Sequence, residues 1–369
     1  MPTKKAPEPK SSANSPATPS AEQRRLQMAD IARLAGVSTA TVSRALNQSP
    51  LVNDETRNRI AELARSLNYS INIGAKNLRL GQNRTVAVVV PYDSTSQQHL
   101  SDPFFLSMLG SLADALTEQG FDMLLSRVDA ERLDTAAQLF DSGRAIGVIL
   151  IGQWRHHDQL NELASRRVPI VVWGAQLPQQ LYCTIGSDNV VGGFLATEHL
   201  LALGRRKIVF FGDTNLPEVA QRFEGYCDAL AKHKVAFDPA LCVPVTFVAE
   251  SAQHAVQDLC RRDVAFDGIF ACSDLLAMTT INTLREQHLR VPQDVAVVGY
   301  DDIELATYFH PPLTTVRQPI QIAGRALVDA LLAQIKGDRV NPQLLPTQLI
   351  VRGTSGQADA AGGKTRAKR

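Results

Sequence analysis

Nowhere in this chain of 369 residues do 18 apolar side chains run together, so the sequence holds no candidate membrane-spanning helix. Its first twenty residues, MPTKKAPEPKSSANSPATPS, carry lysines but lack the apolar run of a secretory leader, which points to the cytoplasm. Cysteine is scarce. Cys183, Cys227, Cys242, Cys260 and Cys272 are odd in number, widely spaced and never in C-x-x-C, a pattern that fits small buried hydrophobes and neither a disulfide framework nor a zinc site. Also missing are G-x-x-x-x-G-K-[ST], G-x-G-x-x-G after a strand, H-E-x-x-H and G-x-S-x-G, so no enzyme, cofactor or metal is expected. His156, His157 and Asp158 are adjacent and would point apart on a helix, which reads as a solvated helix start rather than a ligand set.

What is present is unevenly charged. The net charge of +1 divides into +6 over residues 1–81, −8 over 82–356 and +3 over 357–369. A basic front on an acidic body is the pattern of a chain whose front meets a polyanion while its body does not.

Residues 1–25 are rich in Pro, Ser, Ala and Lys and too poor in large apolar groups to bury a core, so they are expected to be disordered. Residues 27–70 show helical periodicity without strand signal. From Thr85 onward short apolar runs alternate with amphipathic stretches of helical length, the rhythm of βαβ units and a parallel sheet. The runs are TVAVVV (85–90), FDMLL (121–125), AIGVILI (145–151), VPIVVW (168–173), KIVFFG (207–212), GIFAC (268–272) and DVAVVGY (294–300). The rhythm restarts after GSDNVVGG (186–193), which implies two similar α/β halves of about 120 residues each. Ligands of such sheets bind outside the carboxyl ends of the strands, so two facing halves would make a cleft.

In the front segment, Gly36 can take the positive φ of a tight turn and Ser38 is a good N-cap, so LAGVS reads as helix, turn, helix. At about 100° per residue, Val42, Ala45 and Leu46 share one face of the second helix, while Thr39, Ala40, Ser43 and Arg44 share the other. Short side chains beside an arginine can lie close in a DNA major groove, the arginine reaching guanine or phosphate. A third helix, capped by Asn53 or Asp54, would pack Ile60, Leu63 and Leu67 on the first two.

DIARLAGVSTATVSRALN and VNDETRNRIAELARSLNY closely resemble the DNA-binding headpiece of the lactose-repressor/galactose-repressor family. VVPYDSTSQQHLSDPFF, GSDNVVGGFLATEHLLALGRRKI, RFEGYCDAL, CSDLLAM, VPQDVAVVGYDDIELATYFHPPLTTVRQP and LLPTQLIVRGTS resemble its effector domain, in order, over about residues 27–355. The resemblance implies an N-terminal all-α helix-turn-helix headpiece (26–70), a hinge helix and linker (71–84) and an α/β body (85–355). That body is like a periplasmic binding protein, with two doubly wound parallel-sheet subdomains, and a basic tail (356–369) follows it. It makes Thr39, Ala40 and Arg44 base-facing, puts Ser38, Ser43 and Asn47 on phosphates, and casts Leu78 as a wedge in the minor groove. Two positions depart from the family pattern: Gln27 stands where the first helix usually begins with Thr, and Ile71 where the hinge usually begins with Pro.

For the body the resemblance implies a small molecule, commonly a sugar, held between the halves by Phe104, Phe105, Trp173, Arg222, Phe247, Ser273, Asp274 and Asp301. Aromatic faces suit a pyranose C–H surface, and Arg and Asp suit hydroxyls. The expectation is a homodimeric, cytoplasmic transcriptional repressor of carbohydrate genes that binds a near-palindromic operator in double-stranded DNA under control of that effector. The alternative is a periplasmic-type sugar-binding protein with no transcriptional role. The segment after Ser355 has no Leu, Ile or Val to form a coiled-coil seam, so a dimer is expected, with helix 103–119 and segment 275–300 at its interface.

Overall fold

A computed structural model of the chain describes residues 27–46, 49–67, 83–93, 98–262 and 264–356. The expected tails, the hinge 71–80, Asn47 and Leu78 lie outside the described residues. The chain separates into two compact units, 1–82 and 83–369.

The first unit holds α1 (Met28–Ala35), α2 (Thr39–Leu46) and α3 (Asp54–Ser66). Gln27 precedes α1, and the Asp30 carboxylate three residues on accepts its backbone N–H at 2.9 Å, the reciprocal half of a capping box. Gly36 ends α1 at φ 64°, a conformation that costs glycine nothing. The Ser38 hydroxyl accepts Thr41 N–H at 3.1 Å to start α2, and Asn53 accepts Thr56 N–H at 2.9 Å to start α3. Ile31, Ala32, Val42, Ala45, Val52 and Ile60 form the core of the three helices, with Leu46, Leu63 and Leu67 packed against it.

The second unit runs β1 (Thr85–Tyr92), α4 (Pro103–Glu118), β2 (Asp122–Asp129), α5 (Ala137–Asp141), β3 (Val148–Ile151), α6 (His157–Ser165), β4 (Ile170–Trp173), β5 (Cys183–Ser187) and α7 (Asn189–Ala202). It continues through β6 (Ile208–Phe211), α8 (Pro217–Lys232), β7 (Cys242–Val243), α9 (Ala249–Arg261), β8 (Gly268–Ala271), α10 (Asp274–Glu286), β9 (Ala296–Asp301) and α11 (Leu305–Tyr308). The last elements are β10 (Thr314–Arg317), α12 (Ile320–Lys336), β11 (Gln343–Leu345) and β12 (Gln348–Ile350). One six-stranded sheet has the order β11-β5-β4-β3-β1-β2, all parallel. The other has the order β12-β10-β9-β8-β6-β7, parallel except for β12 against β10. Helices cover both faces of each sheet, so the central strands are apolar and buried.

The two halves are not the consecutive segments that the restart at 186–193 implied. After β10 the chain returns to the first sheet as α12 and β11, then crosses back as β12, so three strands of chain connect the halves near 188, 318 and 346. Hydrogen bonds tie these crossings together. Asp188 N–H donates to Leu345 O at 2.9 Å, Thr347 Oγ1 to Asp188 O at 3.3 Å, and Ser187 Oγ to Gln318 Oε1 at 2.7 Å.

Candidate functional site

Both sheets end their parallel strands at one cavity of about 100 Å3, open to solvent. The first half contributes Gln98, Asp102, Phe104 and Phe105 beyond β1, Ile151, Gly152 and Trp154 at the end of β3, and Trp173 at the end of β4. The second half contributes Leu216, Glu218, Val219 and Arg222 beyond β6, then Phe247, Ser273 and Asp301, with Gln318 at a crossing. Of the eight expected ligand residues, Phe104, Phe105, Trp173, Arg222, Phe247, Ser273 and Asp301 are brought together here. Phe105 divides its surface between this cavity and the core behind it.

Asp274 is not among the cavity's lining residues, contrary to the expectation. Its carboxylate is fully buried, accepting the Thr315 hydroxyl at 2.5 Å and Ile303 N–H at 2.9 Å. It therefore joins α10 to β10 and to the turn after β9. Its neighbour Ser273 does line the cavity, and also caps α10 by accepting Leu276 N–H at 3.2 Å.

Arg222, 6 % exposed, is fixed before any ligand arrives. Its Nε donates to Asn189 Oδ1 at 2.9 Å, Nη1 donates to Cys272 O at 2.7 Å, and its Cζ lies 3.7 Å from the Tyr300 ring centroid. Burial alone would favour losing its proton. The neighbouring ionisable groups Tyr300, Cys272, Asp301 and Glu218 outweigh that and hold its pKa above the ordinary arginine value, so the guanidinium stays charged. Asp301 and Asp302 both have positive φ, 121° and 56°, which is strained for residues with a Cβ and aims consecutive carboxylates in different directions. Asp301 Oδ1 accepts Gln318 Nε2 at 2.7 Å, whereas Asp302 is bound by Arg317 and Arg352, both at 2.6 Å. Burial pushes the Asp301 carboxyl up to about 7, against the pull of Arg222.

Gln98, Asp102, Trp154, Glu218 and Gln318 were not foreseen. Asp102 caps α4 and Glu218 opens α8, each beside a proline in the first turn (Pro103, Pro217), and this strand-end, proline, helix pattern was readable as DP and PE. Trp154 sits at φ 50° in a loop pinned by the buried Gln153 amide, which donates to Ala175 O and accepts Ala175 N–H, both at 2.8 Å. Across the cavity mouth, Arg155 Nη2 donates to Asp213 Oδ2 at 2.5 Å and Gln221 Nε2 to Gln176 O at 3.1 Å, so the two halves touch in this conformation.

In the first unit, Ser38, Thr39, Ala40 and Arg44 are exposed and Ser43 is half-buried, on the side of α2 away from Val42 and Ala45.

Residues 27–72 match the bacterial regulatory proteins of the lacI family, and residues 197–355 match a periplasmic binding protein-like domain. The HTH-type transcriptional regulator CelR of Thermobifida fusca is 33% identical over 341 residues, 89% of this chain and 98% of that protein. The chain belongs to the lacI family. The ribose operon repressor of Haemophilus influenzae is likewise 33% identical, over 86% of this chain and 94% of its own length. The lac repressor dimer bound to operator and the anti-inducer ONPF superposes with a TM-score of 0.78 at 25% identity, over 90% of this chain and all of that one. CelR in complex with cellobiose gives 0.65 at 31% identity, over 89% of this chain and all of that one. The protein is thus a DNA-binding transcriptional regulator with a helix-turn-helix head and a two-lobed α/β body, and the alternative of a binding protein without a transcriptional role falls. Its relatives are regulators rather than enzymes. No helix among the described residues is long and apolar enough to cross a membrane.

Proposed function

We propose that this regulator is a cytoplasmic repressor of carbohydrate genes whose operator affinity is set by a sugar or glycoside in the cavity between the lobes. The observation that carries this reading is the cavity itself: five aromatic residues, Phe104, Phe105, Trp154, Trp173 and Phe247, line it with a fixed Arg222 and Asp301 at the carboxyl ends of both sheets. Rings cover the C–H face of a pyranose, while the guanidinium and carboxylate bond its hydroxyls. Solved relatives hold cellobiose and ribose, molecules of this class. Because the cavity is built from both lobes, a ligand there favours one relative arrangement of the lobes, and operator and ligand then change each other's affinity by the same factor.

On the DNA side, Thr39, Ala40 and Arg44 read base edges and Ser38, Ser43 and Asn47 hold phosphates. The segment 71–84 is the hinge, with Leu78 inserted in the minor groove. The active species is a homodimer that uses α4 and segment 275–300. Leu106 on α4, 54 % exposed, and Ile322 on the adjoining α12, 62 % exposed, supply apolar surface for it.

The test is a fluorescence-anisotropy titration of the intact chain on an operator selected from random duplexes, repeated with mono- and disaccharides. At least one sugar should shift the operator Kd about tenfold or more and raise the melting temperature of the free protein. If every sugar that binds leaves the operator Kd unchanged, the coupling is refuted. Light scattering should give a dimer.

A further inference from the structure

The sugar reading leaves the charge of the ligand open, and the cavity wall addresses it. Three carboxylates, Asp102, Glu218 and Asp301, face one guanidinium, Arg222, among the described lining residues. Arg222 is already engaged by Asn189, by Cys272 O and by the Tyr300 ring. The carboxylates take their hydrogen bonds from neutral donors, Asp102 from Phe104 N–H at 2.9 Å and Gln98 Nε2 at 3.3 Å and Asp301 from Gln318 Nε2, while the charge of Arg222 pulls on Asp301. Glu218 is pushed up by burial and eased back by its own backbone N–H, by the charge of Arg222 and by the Gln153 N–H.

We propose that this cavity accepts hydroxyl-rich ligands without negative charge and rejects their phosphorylated and carboxylated counterparts, with Glu218 and Asp102 as the discriminating side chains. The inference rests on the sugar reading and adds to it the sign of charge. Ionised carboxylates only accept hydrogen bonds, so sugar hydroxyls satisfy them by donating, whereas a phosphate or carboxylate offers further acceptors and a like charge. The aromatic faces add to the effect, since the ring quadrupole attracts cations and C–H groups and repels anions. Burial raises the Asp102, Glu218 and Asp301 carboxyls above their usual range, Asp301 to about 7, so these surroundings penalise negative charge on the protein and on a ligand alike.

The chain has two tryptophans, Trp154 and Trp173, and both line the cavity, so intrinsic emission reads its electrostatics without any ligand. On the intact protein at neutral pH, with each quencher scaled to its effect on free N-acetyltryptophanamide, acrylamide and caesium should quench that emission several-fold more effectively than iodide. Glu218→Gln, nearly isosteric, and Asp102→Asn, which retains a capping side chain, should each raise iodide quenching and leave acrylamide quenching unchanged. Iodide quenching equal to that of caesium on this scale in the wild type overturns the proposal.

Calorimetry on matched pairs then measures selection: glucose against glucose 6-phosphate and glucuronate, and cellobiose against cellobionate. The neutral member should bind on the order of 100-fold more tightly, and Glu218→Gln should narrow the gap. Tighter binding of an anionic member also overturns the proposal. If no member of any pair binds, the sugar reading fails, and the quenching result alone decides the charge rule.

Discussion

Replacing Asp274 with alanine should destabilise the second lobe, because the carboxylate holds structure together instead of facing the cleft. The side chain is fully buried, and its two oxygens receive the Thr315 hydroxyl and the Ile303 N–H. Alanine leaves both donors without a partner in a site closed to water, at about 1–3 kcal/mol each. The emptied volume adds to this, because close-packed neighbours collapse only in part. A total of about 3–6 kcal/mol, at roughly 2–4 °C per kcal/mol for a domain of this size, places the melting temperature on the order of 10 °C below that of the wild type. An asparagine side chain would keep an acceptor for Ile303 N–H and an amide able to donate to the Thr315 oxygen, so Asp274→Asn should cost less than about 1 kcal/mol. Thermal and urea unfolding of the ligand-free protein, followed by circular dichroism at one pH, separates the cases. An alanine variant that melts within about 2 °C of the wild type while losing its ligand response would refute the reasoning and return Asp274 to the binding site.

Gly193→Ala should cost about 1–3 kcal/mol and weaken ligand binding, because its Cβ would lie 2.0 Å from Arg222 O and force α7 and α8 apart; denaturation and calorimetry check both effects, and unchanged ligand affinity would disconnect this packing from the site. Arg44→Ala should cost roughly 1–3 kcal/mol at the operator and relax preference at one symmetric base position. A uniform loss on every sequence would mean that Arg44 touches phosphate alone. Asp301, held at about 7 against an ordinary 3.8, keeps a proton in the native state that the unfolded chain has lost between those values, so it subtracts stability as pH rises from about 4 through 7. The melting-temperature gain of Asp301→Asn over the wild type should therefore grow across that window, and a pH-independent difference would exclude the coupling.

The sequence by itself determined what local patterns can encode. Gly36 at a positive φ, Ser38 and Asn53 as caps, and Val42 and Ala45 on one face of α2 specify the headpiece within a few residues of each other. Six of the seven apolar runs specify the buried centres of both sheets, since a strand covered on both faces must be continuously apolar, while the seventh, 121–125, forms the half-exposed edge strand β2. Cys183–Ser187, Thr314–Arg317, Gln343–Leu345 and Gln348–Ile350 could not be read this way. They are three to five residues long, and Thr, Gln and Ser hold much of them, so only pairing with a neighbouring strand makes them strands and reveals that the chain crosses three times between the lobes. The cavity was legible where a motif marked it and hidden where it arises by juxtaposition: Asp102, Trp154, Glu218 and Gln318 come from four distant segments with no shared spacing. Asp274 and Asp301 both follow the end of a strand or close it, and the sequence treats them alike. Tertiary structure separates them, since the backbone at Asp301 takes a φ of 121° and turns its carboxylate to the cleft, while Asp274 enters its helix in the ordinary way and finds its partners, Thr315 and Ile303, inside the protein.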